Sequence, residues 1–267
     1  MSKFKDSIKD GIIYYKDELN DDFGEVGLSR PPVPKGYKYK RTNPFNNFLS
    51  NILYYGLGVP VIGLFCFCHG IRVKNRHVLK RLKKTGAFIY SNHVSISDVF
   101  KFQSFVCPPK RVNIIGYSDS LSMPIVRNLC RAFGYLPLPL KNDKDNFLAL
   151  NEAAGWYVKK KHQYVLIFPE AHIWPYYTGI RNFPHASFYY PAKSNSPVLP
   201  TVTIWKKRKF RKKPRQVVII GRPIYPDPTL DANENMMILH QQCLEQMKKI
   251  ASNNKQQEYV TYKKIED

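Results

Sequence analysis

The sequence predicts an α/β fold: a single mixed or mostly parallel sheet flanked by helices, with an N-terminal membrane-associated helical motif in front of it. Two observations lead there. From residue 86 onward, brief apolar runs with β-branched or aromatic content alternate with helical patterns, as when helices are laid against a largely parallel sheet. Ahead of them, residues 42–71 contain no Lys, Arg, Asp or Glu, in a chain that carries 42 basic and 20 acidic residues in all.

Taken in order, residues 1–41 are charged and Tyr-rich, with a Pro31-Pro32-Val33-Pro34 patch, and are expected to form a surface arm. No secretory signal pattern is visible, because the chain is polar and charged through Arg41. The uncharged stretch, 42–71, exceeds the roughly 20 apolar residues that a spanning helix needs. Yet Asn43, Asn46, Asn47 and Asn51 occupy its first third, and Gly56, Gly58, Pro60 and Gly63 interrupt its middle. Three readings stand: a straight spanning helix, a buried core hairpin, and two short helices lying in one leaflet. The broken pattern favours the third. Basic residues from Arg72 to Lys84 follow at once and suit anionic headgroups.

Residues 72–267 then form the α/β domain. Runs at 87–90, 112–115, 165–168, 198–204 and 217–220 read as strands, and 98–105, 124–133 and 145–160 as helices. Near the end, Asp231 and Glu234 have capping-box spacing, and Met236, Leu239, Cys243, Met247 and Ile250 form one apolar stripe, read as core.

The formal charge of +22 favours polyanionic partners: nucleic acid, anionic lipid or phosphorylated substrates. Composition alone does not choose among them. The ten residues 206–215 include eight basic ones between two expected strands, and admit a leaflet contact, a nucleic-acid contact or a solvated loop. Five cysteines, an odd number without framework spacing, argue against a secreted disulfide scaffold and for a reducing compartment, and read as buried thiols. Cys66-Phe67-Cys68 has no second Cys/His pair at zinc-site spacing, so no metal centre is expected.

The most informative segment is Tyr90-Ser91-Asn92-His93-Val94-Ser95-Ile96-Ser97-Asp98. An expected strand ends here in a polar turn, and a helix begins near Asp98. Strand ends are where α/β sheets build sites. A carboxylate beside a His can hold one tautomer and stabilise the imidazolium formed when the other nitrogen accepts a proton. Five residues apart do not meet on a regular helix, so the pair requires a turn entering one. A histidine that merely packs near a helix start is the competing reading. A second apolar strand, Val165-Leu166-Ile167-Phe168-Pro169-Glu170, also delivers a carboxylate to a strand end.

Together these blocks resemble the glycerolipid acyltransferase family of the lysophosphatidic acid (1-acyl-sn-glycerol-3-phosphate) acyltransferase type, over about residues 50–250. Asn92-His93 through Asp98 is similar to the family's Asn-His-x4-Asp block, and Phe168-Pro169-Glu170 to its Phe-Pro-Glu-Gly block. Pro197-Val198-Leu199-Pro200 and Gly221-Arg222-Pro223-Ile224 are similar to its two later Pro-containing blocks. The resemblance implies an α/β fold with an N-terminal membrane-binding helical motif. It also implies His93 as general base supported by Asp98, and Asn92 and Glu170 on the substrate side.

Two departures bear on the acceptor. Gly134-Tyr135-Leu136-Pro137-Leu138-Pro139-Leu140-Lys141 lacks the Arg that closes the family's second block, and Ala171-His172-Ile173 stands where Gly-Thr-Arg follows the Glu. Lys141 and Arg181 are the candidate replacements for binding a headgroup phosphate. The implied reaction moves an acyl chain from acyl-CoA or acyl-ACP to the sn-2 hydroxyl of a lysophosphatidate-like lipid, giving phosphatidic acid. It uses no further cofactor and takes place at an anionic membrane surface on the cytoplasmic face. A different lysolipid or polar-lipid acceptor is the nearest alternative. A nucleic-acid-binding protein leaves 42–71 unexplained, so no nucleic-acid partner is expected. A Ser-His-Asp hydrolase lacks the Gly-x-Ser-x-Gly elbow.

Overall fold

The computed structural model describes residue 8 and residues 11–24, 30–122 and 124–265. Parts of the expected arm (1–7, 9–10 and 25–29) and the last two residues of the expected domain lie outside the described residues.

Among the described residues, the first element is strand β1, Ile12–Tyr15. Helix α1 runs Pro44–Cys68 as one 25-residue rod, capped by the Asn43 side chain on the Asn46 N–H. The expected break into two short helices is therefore corrected. Between Ile52 and Gly58 the helix widens, and the Val59 N–H reaches back five residues to the Tyr54 carbonyl. That wide turn lies just ahead of Pro60, whose missing N–H would interrupt a regular register. Ser50, Tyr54, Gly58 and Cys66, spaced at multiples of four, are buried on one face. Gly58 is needed there because a Cβ would stand 2.2 Å from the Phe133 ring. The other face is open, with Phe45, Phe48 and Phe67 exposed at 72%, 64% and 74%.

Strand β2 (Arg72–Lys74) leads through a 3-10 turn (Arg76–Leu82) to β3 (Ala87–Ser91). Helix α2 (Asp98–Lys101) continues as a wide turn at Phe102–Val106, followed by β4 (Val112–Gly116) and α3 (Pro124–Ala132). Gly134, at φ +90, ends α3 as the left-handed residue that only glycine adopts cheaply, and hands the chain to β5, Tyr135–Pro137. Then come α4 (Lys144–Lys159), β6 (Tyr164–Ile167), α5 (Tyr189–Lys193) and β7 (Val198–Lys206). Strand β8 (Arg215–Ile220), α6 (Ala232–Ser252) and β9 (Thr261–Lys264) close the described chain.

Among the described residues, seven strands form the central sheet in the order β2-β8-β7-β3-β6-β4-β5. All neighbours are parallel except β7 and β8, the hairpin around the basic loop. This agrees with the mostly parallel α/β class expected. Strands β3 and β6 are buried at every residue, as a parallel sheet covered on both faces requires. Phe88 and Tyr90 join Leu150 of α4 and Leu239 and Cys243 of α6 in the core on one side. Ala87 and Ile89 face Leu82 and Phe102 in the core on the other. The capping box on α6 is present as expected, with Asp231 and Glu234 exchanging bonds across the first turn.

The arm is not a loose surface segment where it is described. Tyr39 is buried and bonds the Pro137 carbonyl, and Asn146 of α4 donates to the Val33 and Pro34 carbonyls. Strand β1 pairs in parallel with β9, and Ile13 and Phe23 enclose a fully buried Trp174 together with Val260.

Candidate active site

All of the expected chemistry-bearing residues lie beyond strand C-termini on the parallel part of the sheet, and the site grows from β3. Asn92 follows that strand directly and is 1% exposed. Its amide nitrogen donates to the Thr203 carbonyl (3.0 Å) and its oxygen accepts the Thr203 N–H (2.8 Å). Both ends of the amide are thus spent on β7, as a ladder rung would be. The side chain anchors the turn through these two bonds.

The next residue, His93, is held from four directions. Its N–H approaches Glu170 Oε2 at 3.4 Å, and its carbonyl accepts the Trp174 N–H at 3.0 Å. The ring stacks on Phe168 at 4.1 Å, and Nδ1 lies 3.2 Å from Asp98 Oδ2. Among the described residues no protein group pairs with Nε2. With Nδ1–H donated to Asp98, Nε2 carries the lone pair.

Asp98, which is fully buried, makes this geometry possible across five residues. Its Oδ2 also accepts the N–H groups of Val94 and Ser95, both at 2.8 Å, which wraps the turn around the carboxylate. Its Oδ1 takes an ammonium proton from Lys101. Burial alone would push the carboxyl up, but the Lys101 charge and the His93 contact outweigh it and hold Asp98 below the ordinary carboxylate range.

Glu170 and Arg181 are brought together, but inward. Glu170 is 3% and Arg181 1% exposed, with Arg181 Nη2 at 3.1 Å from Glu170 Oε2 and the Arg181 N–H at 3.2 Å from Oε1. Burial raises the Glu170 carboxyl, with Arg181 and the two backbone N–H groups acting against that rise. The guanidinium also bonds the carbonyls of Glu18 and His172 and lies 4.7 Å over the Trp174 ring. Both Nη atoms are thus bonded to protein groups, while the buried Nε has no partner among the described residues. Arg181 ties the Glu170 loop to the arm through the Glu18 carbonyl. Glu170 likewise meets the His93 backbone rather than open space.

Lys141 is exposed in the turn between β5 and α4. It shares the strand C-terminal edge with His93, but β6 and β4 lie between β3 and β5, a separation of about 14 Å at three strand spacings. Sequence reading missed Lys101, Thr203, Gln216 and Phe168 as parts of this site. Only Phe168 had a signal, as the first residue of the Phe-Pro-Glu block. Among the described residues, no group of three or more His, Cys, Asp or Glu side chains could hold a metal ion.

The His–Asp pair thus sits at a strand end of an α/β scaffold. The acyltransferase family model matches residues 70–204, half of the chain, and spans β2 to the later part of β7. The chain belongs to this family and is an acyltransferase, as the ordered blocks implied. A search of curated proteins gave no match. Among solved structures, the chain is similar to the crystal structure of the 1-acyl-sn-glycerophosphate (LPA) acyltransferase PlsC from Thermotoga maritima. That likeness has 15% identity and a TM-score of 0.49, over 78% of this chain and 96% of that one.

Proposed function

We propose that the protein moves a fatty acyl group from an acyl thioester, carried by coenzyme A or acyl carrier protein, to the sn-2 hydroxyl of a lysophosphatidate-like glycerolipid. The observation that carries this is the His93 Nδ1–Asp98 Oδ2 contact, with Nε2 unpaired among the described residues. Nε2 takes the proton of the acceptor hydroxyl as its oxygen attacks the thioester carbonyl carbon. The tetrahedral intermediate collapses with breakage of the C–S bond, and the imidazolium returns the proton to the departing thiolate. Asp98 holds the tautomer and stabilises the imidazolium. No covalent acyl-enzyme and no cofactor are needed, and the product is phosphatidic acid.

The site residues in this reading are His93 and Asp98 for chemistry, with Asn92, Glu170 and Arg181 on the substrate side, where they also shape the turn. Lys141 is the exposed cation for the acceptor phosphate. The three parts are the arm at 1–41, the membrane motif at 42–71 and the acyltransferase domain at 72–267. Support for working at a membrane comes from α1, about 37 Å long at 1.5 Å per residue, whose open face is apolar. Because its other face packs on the domain, we place it lying in one leaflet rather than across the bilayer. Ile96 and Phe100, each 51% exposed, put further apolar surface beside the His93 turn. Arg208 of the basic loop lies near Gly70 at the helix end, where anionic headgroups on the cytoplasmic face would meet it.

The deciding experiment incubates the purified full chain with acyl-CoA or acyl-ACP and a panel of lysolipids, and identifies products by mass spectrometry. Acylation of lysophosphatidate in preference to zwitterionic lysolipids is the expected result. Equal use of an acceptor lacking the phosphate monoester removes the lysophosphatidate assignment.

A further inference from the structure

We propose that Lys101 is a positioning residue for the acyl-transfer centre: its buried ammonium balances the charge of Asp98, so that the carboxylate orients His93 without trapping it as imidazolium. This inference rests on the reading of His93 as general base.

Lys101 has no exposed surface. Its three ammonium protons go to Asp98 Oδ1, to Thr203 Oγ1 at 2.8 Å and to Gln216 Oε1 at 3.0 Å, on α2, β7 and β8 respectively. Gln216 Nε2 in turn approaches Ser97 Oγ at 3.3 Å, which closes the set back onto the head of α2. Desolvating an ammonium this completely is costly, and an apolar side chain at such a position is often as stable. Holding the turn does not require it either, since Val94, Ser95 and His93 already engage Oδ2. The two carboxylate oxygens are divided instead, with His93 on one and Lys101 on the other.

Charge counting shows what the division does. An isolated His–Asp pair becomes neutral overall when the imidazole gains a proton, which favours the protonated, catalytically spent form. With Lys101 present, Asp98 is already balanced, and a proton on His93 is the uncompensated charge. Among the described residues, no other facing group alters this count. Cys66 on α1 lies near Lys101, but burial pushes its thiol up to about 11, so it stays neutral. Glu170, beside the His93 backbone, is paired with Arg181. Thr203 and Gln216 carry no charge. The carboxylate thus keeps its directional role while its bias toward imidazolium is trimmed, which suits a base that must be free near neutral pH.

The test is the pH profile of kcat/KM for the full chain with the thioester and lysolipid substrates. Lys101→Met and Lys101→Gln should move the acid limb up by about one to two pH units. Gln216→Leu removes a neutral acceptor and keeps the cation, so its acid limb should stay at the wild-type position whatever happens to its rate. A purely structural lysine would lower rates in all three variants with no movement of the limb, and that result overturns the proposal. If Lys101→Met and Lys101→Gln do not fold, the triple variant K101M/T203V/Q216L replaces the polar set with apolar side chains, and the limb is read there. His93→Ala keeps the two hypotheses apart. Loss of turnover in His93→Ala with a static limb in the Lys101 variants sinks only the role of Lys101. Retained turnover in His93→Ala sinks the general-base reading itself.

Discussion

The Asn92 side-chain amide and the Thr203 backbone exchange two hydrogen bonds, so the residue before His93 is stitched to β7 after β3 itself has ended. Replacing Asn92 with Ala strands a buried N–H and a buried carbonyl, each worth about 1–3 kcal/mol. The expected outcome is a lower denaturation midpoint together with reduced kcat, because the turn that aims His93 loses its tether. A variant of unchanged stability would show that the two bonds are not formed.

His93→Ala should lose acyl transfer by about 10²–10⁴-fold with little change in melting temperature, since the ring is at the edge of the core and a positioned base contributes that much. Steady-state turnover and a thermal melt on the same preparation check it. Near-normal turnover would refute His93 as the base.

Asp98→Asn should be destabilising at neutral pH by about 3–5 kcal/mol, because it leaves the Lys101 ammonium buried without its counter-charge. The sign of the pH dependence follows from the lowered carboxyl of Asp98. Its contribution is present above the unfolded value of 3.8 and is lost as pH falls through the lower folded value. The stability gap between wild type and Asp98→Asn should therefore narrow between about pH 6 and about pH 3. Denaturant midpoints at the two pH values measure this, and a gap that widens in acid contradicts it.

Lys141→Ala and Arg181→Ala should separate cleanly. The exposed lysine should chiefly raise KM for a phosphate-bearing acceptor, by roughly tenfold for a lost charge-assisted bond of about 1.5 kcal/mol. The buried arginine should lower stability, because it leaves Glu170 unpaired. Acceptor titrations beside melting curves distinguish them, and a KM effect confined to Arg181→Ala would reverse the assignment.

Phe48→Glu with Phe67→Glu, both on the open face of α1, should shift the protein from vesicles to the soluble fraction while leaving its melting temperature near wild type. Flotation with anionic vesicles reads the result. Unchanged binding would move the lipid contact to another surface. Substitutions serve better than deletion here, since Ser50, Tyr54 and Cys66 of the same helix belong to the domain's packing.

The site-bearing strands were legible because parallel strands covered on both faces must be apolar throughout, as Phe88–Tyr90 and Val165–Ile167 are. His93 and Asp98 were legible as a turn running into a helix. Helix α1 was misread because Gly56, Gly58 and Pro60 weigh against a regular helix, whereas the wide turn at Ile52–Gly58 accommodates Pro60 and Gly58 admits Phe133. Strands β2 and β5, three residues each, are too short to show a period. Arg181 reads in sequence as a surface charge. Its burial depends on Glu170, Trp174 and the Glu18 carbonyl, none of which is adjacent in the chain. Lys101 was passed over for the same reason, since its partners on β7 and β8 follow more than a hundred residues later.

The pairing of β1 with β9 has a consequence for the order of folding. Ile12 and Thr261 are ladder partners about 250 residues apart, and β2 likewise waits for β8. Contacts of such separation form late, because the loop they close is long and its closure entropy must be met first. During synthesis, β3, β6 and β4 can assemble while Trp174 still lacks its cover from Val260 and Tyr262. The segment carrying Glu170 and Trp174 is thus fully braced only after β9 has joined β1.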